Sequence, residues 1–597
     1  MTARETPAKA WLRALESIKL MQERPALTLP LLVQEFGASH GAKPALLGEH
    51  DTLSYRDLAG RAHHYGSWAD ARGLAPGEVV GLLMPNCPDY PAIWLGITVS
   101  GGVVALLNSH LRGAALLHCI QTAACRHVIA AASLWDAVAE VQDQLPESTG
   151  FWVHGKGAPE QLRRIDPAEA WTPTIEARAS SHEAGLQDLA LLIFTSGTTG
   201  LPKAAKVTHG RIMEWSTWFA GMMDAKESDI LYNCLPMYHS IGGVVAIGAM
   251  LVRGGSVVIR ERFSASRFWD DITDNECTIF QYIGELCRYL VQAAPQPRES
   301  EHRLRLCCGN GMRGDVWTSF EERFKIPRIL EFYAATEGNV SLYNCEGKPG
   351  AIGRVPAFLA HRFPIALVKC DMETGEVLRD ALGHCIPCAV DEPGEAIGKI
   401  QTTTESQFDG YTDAKASAAK TICDVFKPGD RWFRTGDLMR KDHAGYYYFV
   451  DRLGDSFRWK GENVSTAEVA ETLNTCPGIQ ESAVYGVAVP GNEGKAGMAA
   501  IITDAGFSWN TLQDFLKQHL PPYARPIFIR CSRSLDLTGT FKLQKTALQR
   551  EGYRHATEPV WVFDSLADAY VLCCANRLEW IAAGGIGRNP RSGEPSR

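Results

Sequence analysis

The segment TSGTTGLPK, residues 195–203, combines residue types that can hold a polyphosphate. An apolar run, LALLIF (189–194), leads into it, and Thr208 beyond it is suited to capping a helix. Gly197 and Gly200 offer backbone N–H groups without side-chain obstruction, while the hydroxyls and one lysine add donors and a cation. The spacing differs from that of the Walker-A motif. A segment rich in Ser, Thr and Gly can also be only a turn, so its interpretation depends on the rest of the chain.

Five further polar motifs follow along the chain: PMYHSIG (236–242), GNG (309–311), YAATE (333–337), FRTGD (433–437) and DRLG (451–454). Each motif alone is weak evidence. Together with TSGTTGLPK, and in this order, they resemble the adenylate-forming superfamily of acyl-CoA synthetases, luciferases and peptide-synthetase adenylation domains. The resemblance extends over about residues 30–566, nearly the whole chain.

The resemblance implies which residues contact ATP or AMP: Thr195, Ser196, Gly197, Thr198, Thr199, Gly200, Lys203, Gly309, Tyr333, Thr336, Asp437 and Arg452. In the family, the first loop closes over the β- and γ-phosphates, the tyrosine stacks on adenine, and the aspartate and arginine contact the ribose. It also implies a catalytic set, namely His239, Thr336, Glu337 and Lys542. His239 would lie beside the acyl carboxylate, and Glu337 would hold Mg²⁺ together with Thr195.

The segment GTFKLQK (539–545) resembles the last motif of the family, whose lysine reaches into the active site during adenylation. Lys542 matches that lysine. Phe541 stands where many members have glycine, so Lys545 is kept as the alternative.

The segment RWKGEN (458–463) resembles the loop that the family presents to the active site for thioester formation, with Arg458, Gly461 and Asn463 as the matching residues. Gly461 would let the pantetheine arm of coenzyme A approach the backbone, because a Cβ would obstruct it. Gly454 occupies the hinge position about which the small domain rotates in the family.

The chemistry that the motifs imply needs no nucleophilic side chain. A carboxylate is a poor electrophile, and attack of its oxygen on the α-phosphorus of ATP converts it into a mixed anhydride with AMP as the leaving group. The transition state is anionic, so cations, backbone amides and Mg²⁺ should supply most of the catalysis.

Two segments, FRWKGENVSTAEVAETL (457–473) and TGTFKLQK (538–545), resemble the fatty-acid-transport-protein and very-long-chain acyl-CoA synthetase branch of the superfamily. The resemblance implies a long-chain fatty acid as the substrate, with ATP, Mg²⁺ and coenzyme A. Three alternatives stay open: a ligase for a bile acid or carnitine derivative, an enzyme that loads a carrier protein, and a fatty-acid uptake protein with incidental catalysis. The intact Glu337 and Lys542 argue against a transporter without activity.

The fold class expected is α/β. Apolar runs such as VVGLLM (79–84) alternate with helix-like segments, whereas residues 391–450 change to short strands and turns. After Arg452 the pattern restarts with a capping box, STAE (465–468). The patterns and the resemblance predict an AMP-binding domain at 1–452, with helix-covered sheets and a β-barrel-like part, and a small mobile α+β domain at 453–566. A tail at 567–597 is expected to be disordered.

The bulk composition narrows the choice of partners and compartment. A net charge of −8 with dispersed basic residues argues against a nucleic-acid partner. No signal peptide or membrane span is evident, and 17 cysteines then favour reduced thiols in the cytoplasm. Residues 9–22 are amphipathic and either dock on the protein itself, the favoured interpretation, or make a peripheral contact with the inner face of the membrane. Cys385 and Cys388 form an isolated C-x-x-C pair without the further ligands of a zinc site.

Overall fold

The computed structural model describes residues 6–157, 161–166, 184–195, 202–371, 374–401, 408, 410–459, 462–490, 492, 494–536, 543–565, 567–582 and 586. The chain divides into two compact units. The first unit comprises Met1–Pro364, Gly398–Ile422 and Arg431–Phe433. The second unit comprises Ile365–Ile397, Cys423–Asp430 and Arg434–Arg597. The boundary expected after residue 452 stays a prediction.

The first unit contains two β-sheets. Their strands are β1 (Pro44–Leu47), β2 (Thr52–Ser54), β3 (Val79–Leu83), β4 (Val103–Leu106), β5 (Cys125–Ala131), β6 (Gly150–His154), β7 (Leu189–Thr195), β8 (Lys203–Thr208), β9 (Ile230–Asn233), β10 (Ser256–Ile259), β11 (Ile279–Ile283), β12 (Leu306–Asn310), β13 (Ile329–Ala334) and β14 (Ser341–Asn344). One sheet has the order β14-β13-β12-β11-β9-β10-β1-β2 and the other β6-β5-β3-β4-β7-β8. Most pairs are parallel. Consecutive residues of these strands are buried, as expected for parallel strands that are covered on both faces.

Among the described residues, twelve α-helices lie wholly in this unit: α1 (Pro7–Glu23), α2 (Leu29–Ser39), α3 (Tyr55–Ala71), α4 (Asp89–Val99), α5 (Gly113–Thr122), α6 (Trp135–Ala139), α7 (His209–Met223), α8 (Ala246–Leu251), α9 (Phe268–Asp274), α10 (Gly284–Gln292), α11 (Gly314–Phe324) and α12 (Ala414–Ala419). Helix α4 is apolar on all sides, and its residues from Asp89 to Thr98 are all buried. It therefore belongs to the core of the unit rather than to its surface.

Helix α1 docks on the protein itself, as the favoured interpretation of residues 9–22 predicted. Trp11 is buried and makes edge-to-face contacts with Trp218 of α7 and with Tyr343. Arg13 donates a hydrogen bond to the carbonyl oxygen of Gly221 at 2.6 Å. A Cβ at Gly221 would lie 2.5 Å from the Cα of Ala14, so glycine there permits the close approach of the two helices. No helix in the described part of the chain combines the length and the hydropathy that a membrane span requires.

The second unit contains most of a five-stranded sheet with strands β15 (Ile365–Val368), β16 (Gly394–Lys399), β17 (Thr421–Cys423), β18 (Arg431–Lys441) and β19 (Tyr447–Arg452). A two-stranded ribbon follows, formed by β20 (Phe457–Trp459) and β21 (Glu462–Val464). A further sheet has the order β22-β23-β24-β25-β26, with the bounds Ile479–Ala488, Lys495–Thr503, Phe528–Cys531, Val560–Asp564 and Ala569–Leu572.

In the part of this unit that the structure describes, four helices accompany these strands: α13 (Thr466–Asn474), α14 (Trp509–His519), α15 (Lys545–Glu551) and α16 (Ala575–Ala582). Ser465 is the N-cap of α13, as predicted, since its hydroxyl accepts a hydrogen bond from the N–H of Glu468 at 3.2 Å.

The expectation of a disordered tail from residue 567 onward is wrong for residues 567–582. Strand β26 pairs antiparallel with β25, and the buried Tyr570 donates a 2.6 Å hydrogen bond to the carbonyl oxygen of Pro526. Edge pairing and one anchored aromatic residue stabilise this segment despite its weak sequence pattern. The remaining residues of the predicted tail, except 586, lie outside the described residues.

Candidate active site

The predicted phosphate loop connects two antiparallel strands of the first unit. Thr195 ends β7 and Lys203 begins β8, and the two residues are paired directly opposite each other. Thr208 caps α7 as predicted, because its hydroxyl accepts a hydrogen bond from the N–H of Arg211 at 3.2 Å. The intervening predicted contacts lie outside the described residues: Ser196, Gly197, Thr198, Thr199 and Gly200.

The segment that carries Thr336 and Glu337 follows β13 and meets two other parts of the chain. The Thr336 hydroxyl lies 3.0 Å from the Ser240 hydroxyl, which directly follows the predicted acyl-site residue His239. The Glu337 carboxylate accepts a 2.7 Å hydrogen bond from the phenol of Tyr411. The structure thus brings two sequence-predicted motifs, YAATE and PMYHSIG, into direct contact within the first unit.

The backbone around His239 is held by Asn86, a residue that the sequence analysis did not select. The Asn86 amide donates to the carbonyl oxygens of Leu235 and Arg260 at 2.9 and 3.0 Å, and its oxygen accepts from the N–H of Met237 at 2.9 Å. A polar residue two positions after the apolar run VVGLLM (79–84) was the signal that could have found it.

A π-helical turn, Ile241–Val245, follows His239. Such turns are rare and occur frequently at functional sites. The turn packs so closely on the preceding loop that a Cβ at Gly243 would lie 1.8 Å from the carbonyl oxygen of Met237. The position therefore requires glycine.

The predicted adenine-lining segment begins at the end of β12. Gly309 lies beside Glu331 of the parallel strand β13, and a Cβ at Gly309 would meet the carbonyl oxygen of Tyr282 at 2.2 Å. Glu331 is fully buried and accepts hydrogen bonds from the N–H groups of Gly311 and Met312 and from the phenol of Tyr282. Burial raises the pKa of Glu331 to about 8. A single buried carboxyl group thus fixes the backbone of this segment.

Tyr333 lies two residues beyond Glu331, near the end of β13, and its side chain is partly exposed. The strand alternation places these two side chains on the same face of the sheet. Along this face of β13, the buried carboxyl group of Glu331 is therefore followed by the partly exposed ring of Tyr333 at the end of the strand.

In the second unit, the two predicted ribose residues are brought together. Asp437 of β18 is paired opposite Arg452 of β19, and the guanidinium Nε lies 3.5 Å from the carboxylate Oδ1. The Thr435 hydroxyl accepts a 3.0 Å hydrogen bond from the N–H of Asp437 and donates to the carbonyl oxygen of Ala396 at 2.7 Å. The carboxylate and its cation are thus fixed at one end of a hairpin.

The predicted hinge residue, Gly454, lies in the turn that follows β19. Its φ is +91°, and nothing lies within 4 Å of an added Cβ. The turn is closed by a 3.1 Å hydrogen bond from the N–H of Asp455 to the carbonyl oxygen of Arg452. The positive φ favours glycine on conformational grounds alone.

The predicted thioester-step residues lie on the ribbon β20–β21. Arg458 is exposed, and its backbone is paired opposite that of Asn463. Gly461 and Lys542 lie outside the described residues. Among the described residues, no group of three or more His, Cys, Asp or Glu side chains is arranged to hold a metal ion.

Comparison with known proteins decides the family. Residues 33–400, more than half of the chain, match the family described as AMP-binding enzyme. The chain belongs to this family. Residues 468–542 match the AMP-binding enzyme C-terminal domain. Membership of the adenylate-forming superfamily, predicted from the ordered motifs, is therefore confirmed, and it supports ATP as a substrate.

The chain is similar to several mammalian proteins along most of its length. It is 44% identical to long-chain fatty acid transport protein 1 of Mus musculus over 84% of this chain and 78% of the relative. It is 42% identical to the Homo sapiens protein of the same name over 89% and 83%, respectively. It is 38% identical to Homo sapiens long-chain fatty acid transport protein 6 over 91% and 88%. The predicted branch of the superfamily is confirmed by these similarities.

Solved structures with low sequence identity share the fold. ATP-bound MatB from Rhodopseudomonas palustris is 22% identical with a TM-score of 0.72, covering 88% of this chain and 99% of that one. A Mycobacterium tuberculosis fatty acyl CoA synthetase is also 22% identical, with a TM-score of 0.62 over 89% and 99%. The predicted α/β fold class, with a large N-terminal and a smaller C-terminal domain, is confirmed.

Proposed function

We propose that the protein is a long-chain fatty acid–CoA ligase that acts through an acyl-adenylate. Fatty acid, ATP and coenzyme A are converted to acyl-CoA, AMP and diphosphate. The observation that supports this most directly is the contact between Ser240, next to His239, and Thr336, next to Glu337. It joins the motif expected beside the acyl carboxylate to the motif expected beside the phosphates, and these are the groups that must react.

The residues present fit a magnesium ion. Mg²⁺ in nucleotide enzymes is held by one or two carboxylates together with the substrate's phosphates and water. The partly exposed Glu337 supplies a carboxylate, and Thr195 supplies a hydroxyl at the end of β7. When bound, Mg²⁺ neutralises charge on the phosphate oxygens. Glu337 and Thr195 are thus the residues we assign to the ion.

The protein's own groups orient the reactants. His239 and the Ser240–Thr336 contact position the carboxylate for attack on the α-phosphorus, while Lys203 and the loop before it bind the β- and γ-phosphates. Tyr333 stacks on adenine, and Asp437 with Arg452 binds the ribose hydroxyls. Lys542 stabilises the developing negative charge during adenylation. Arg458, Gly461 and Asn463 then serve coenzyme A, whose thiol displaces AMP from the acyl group.

A panel of acids tests this proposal. The purified protein is supplied with ATP, Mg²⁺ and saturated fatty acids from about eight to about twenty-four carbons, and AMP release is measured with and without coenzyme A. We expect the highest kcat/KM for long chains and continuous turnover only with coenzyme A. Adenylate formation that continues with a carrier protein but not with coenzyme A would contradict the ligase.

Two related functions are separated by the same assay. A higher kcat/KM for a bile acid or a carnitine derivative would show that such an acid, rather than a fatty acid, is the substrate. Uptake of fatty acid by cells that persists with a Glu337→Gln variant would favour a transport role with incidental catalysis. We also propose a cytoplasmic location, which fractionation of cells would test.

A further inference from the structure

Tyr411 connects both ends of the phosphate loop to Glu337. Its phenol donates a 2.7 Å hydrogen bond to Oε1 of Glu337, and the Thr195 side chain lies within hydrogen-bonding reach of the same phenol oxygen. The ammonium group of Lys203 lies 5.9 Å from the centre of the Tyr411 ring. One side chain thus contacts three residues that the motifs assign to phosphates and Mg²⁺.

The backbone of Tyr411 is fixed on the strand that follows the phosphate loop. Tyr411 forms an antiparallel bridge with Ala205 of β8. The N–H of Lys206 donates to the carbonyl oxygen of Gly410, and the N–H of Thr412 to that of Ala204, both at 3.0 Å. The phenol therefore approaches Glu337 from a position set by the same strand that carries Lys203.

The environment of Tyr411 restricts the ring further. It is 5% exposed and packs with Ala205 and Ala416. The N–H of Tyr411 donates a 2.9 Å hydrogen bond to the Ser417 hydroxyl. A buried ring on a bonded backbone has little rotational freedom, so its hydroxyl is a preorganised donor.

We propose that Tyr411 is a positioning residue that orients the Glu337 carboxylate, and through it Mg²⁺, relative to Thr195 and Lys203. This inference rests on the proposed function, because it assigns Glu337 to the metal. The carboxylate retains a second oxygen, Oε2, for the ion, while Oε1 is held by the phenol. Without the phenol, the Glu337 side chain would adopt several rotamers. Binding of Mg²⁺–ATP would then have to fix one of them, which costs conformational entropy.

The test measures ATP binding by calorimetry, without fatty acid or coenzyme A, with Mg²⁺ and again with EDTA. Tyr411→Phe keeps the ring packing and removes only the hydroxyl. We expect the Kd for ATP with Mg²⁺ to rise about tenfold, whereas the Kd in EDTA should change less than about twofold. Combining Tyr411→Phe with Glu337→Gln should weaken binding no more than Glu337→Gln alone, because the two residues act as a unit.

Tyr65→Phe is the matched control. Tyr65 is also buried in the first unit, and its phenol also donates to a carboxylate, Asp89, at 3.0 Å. The Tyr65→Phe variant should lose about as much thermal stability as Tyr411→Phe, and it should bind Mg²⁺–ATP like the wild type. Unchanged Mg²⁺–ATP binding in Tyr411→Phe, or an equal loss with EDTA, would overturn the inference. Failure of the wild-type protein to bind Mg²⁺–ATP would instead overturn the proposed function.

Discussion

Lys545 donates a 2.7 Å hydrogen bond from Nζ to the hydroxyl of Thr466, and the same ammonium group lies 3.6 Å from a carboxylate oxygen of Asp455. The buried Thr466 in turn bonds to Asp451 through both its N–H and its hydroxyl. Lys545 thus supplies positive charge near the buried Asp451 and the partly exposed Asp455 in the second unit. This structural role supports Lys542 rather than Lys545 as the lysine used in adenylation.

The two lysines should therefore give different phenotypes. Lys542→Ala should abolish fatty-acid-dependent ATP–pyrophosphate exchange, yet still convert acyl-AMP and coenzyme A to acyl-CoA. Lys545→Ala should lower the free energy of unfolding by about 1.5–3 kcal/mol, the typical loss of a hydrogen bond to a charged group. Both half-reactions are measured separately at a temperature where each variant is folded. Selective loss of adenylation in Lys545→Ala would show that our assignment is wrong.

Glu337→Gln tests the metal assignment, since it keeps the shape of the side chain and removes its charge. We expect kcat to fall by about a hundredfold or more, as is typical when a preorganised electrostatic contact is lost. A Mg²⁺ titration of turnover is the measurement. Glu299→Gln, which removes a carboxylate paired with Arg323 in the same unit, is the control and should retain kcat. Near-normal turnover of Glu337→Gln at saturating Mg²⁺ would rule out the role.

Gly454→Pro tests whether the turn after β19 acts as a hinge. Proline fixes φ near −65°, whereas Gly454 has a φ of +91°. We expect the variant to retain substantial ATP–pyrophosphate exchange and to lose most acyl-CoA formation, because only the second step requires the rotation that the family resemblance implies.

Gly157→Pro is the control for this substitution, since Gly157 has the same φ of +91° and equally open surroundings in the first unit. It should affect both half-reactions equally or not at all. If Gly454 only permits a tight turn, proline there would reduce folding and both steps together. A soluble Gly454→Pro protein with wild-type acyl-CoA production would refute the hinge.

The raised pKa of Glu331 predicts that the stability of the protein depends on pH. Its pKa is raised from 4.5 to about 8 by burial, so between these values the folded state binds more protons than the unfolded state. The free energy of unfolding should therefore fall as pH rises through this range, by up to about 1.4 kcal/mol per pH unit from this group. Glu331→Gln does not titrate and should show a flatter profile in denaturant unfolding. Parallel profiles for the two proteins would contradict this.

Contiguous motifs made much of the fold and site predictable from the chain. The apolar run that leads into TSGTTGLPK, the N-cap at Thr208 and the N-cap at Ser465 all depend on residues close in sequence. Asn86, Glu331 and Tyr411 were missed because each acts on segments distant in the chain, and their contacts leave no local periodicity. Strand β26 was missed although Tyr570 and Val571 favour strands, because only its pairing with β25 shows that this short run belongs to a sheet.

Gly243 restricts the amino-acid substitutions that the turn after His239 can accept. Any L-residue other than glycine would bring a Cβ within 1.8 Å of the carbonyl oxygen of Met237 and would force the turn after His239 to be rebuilt. Mutational routes to new acid specificities are therefore closed at this position, although it lies only four residues from His239. A Cβ at the adjacent Gly242 would also lie 2.6 Å from the carbonyl oxygen of Pro236. Directed-evolution libraries over residues 236–245 should therefore keep both glycine codons constant and vary the other positions.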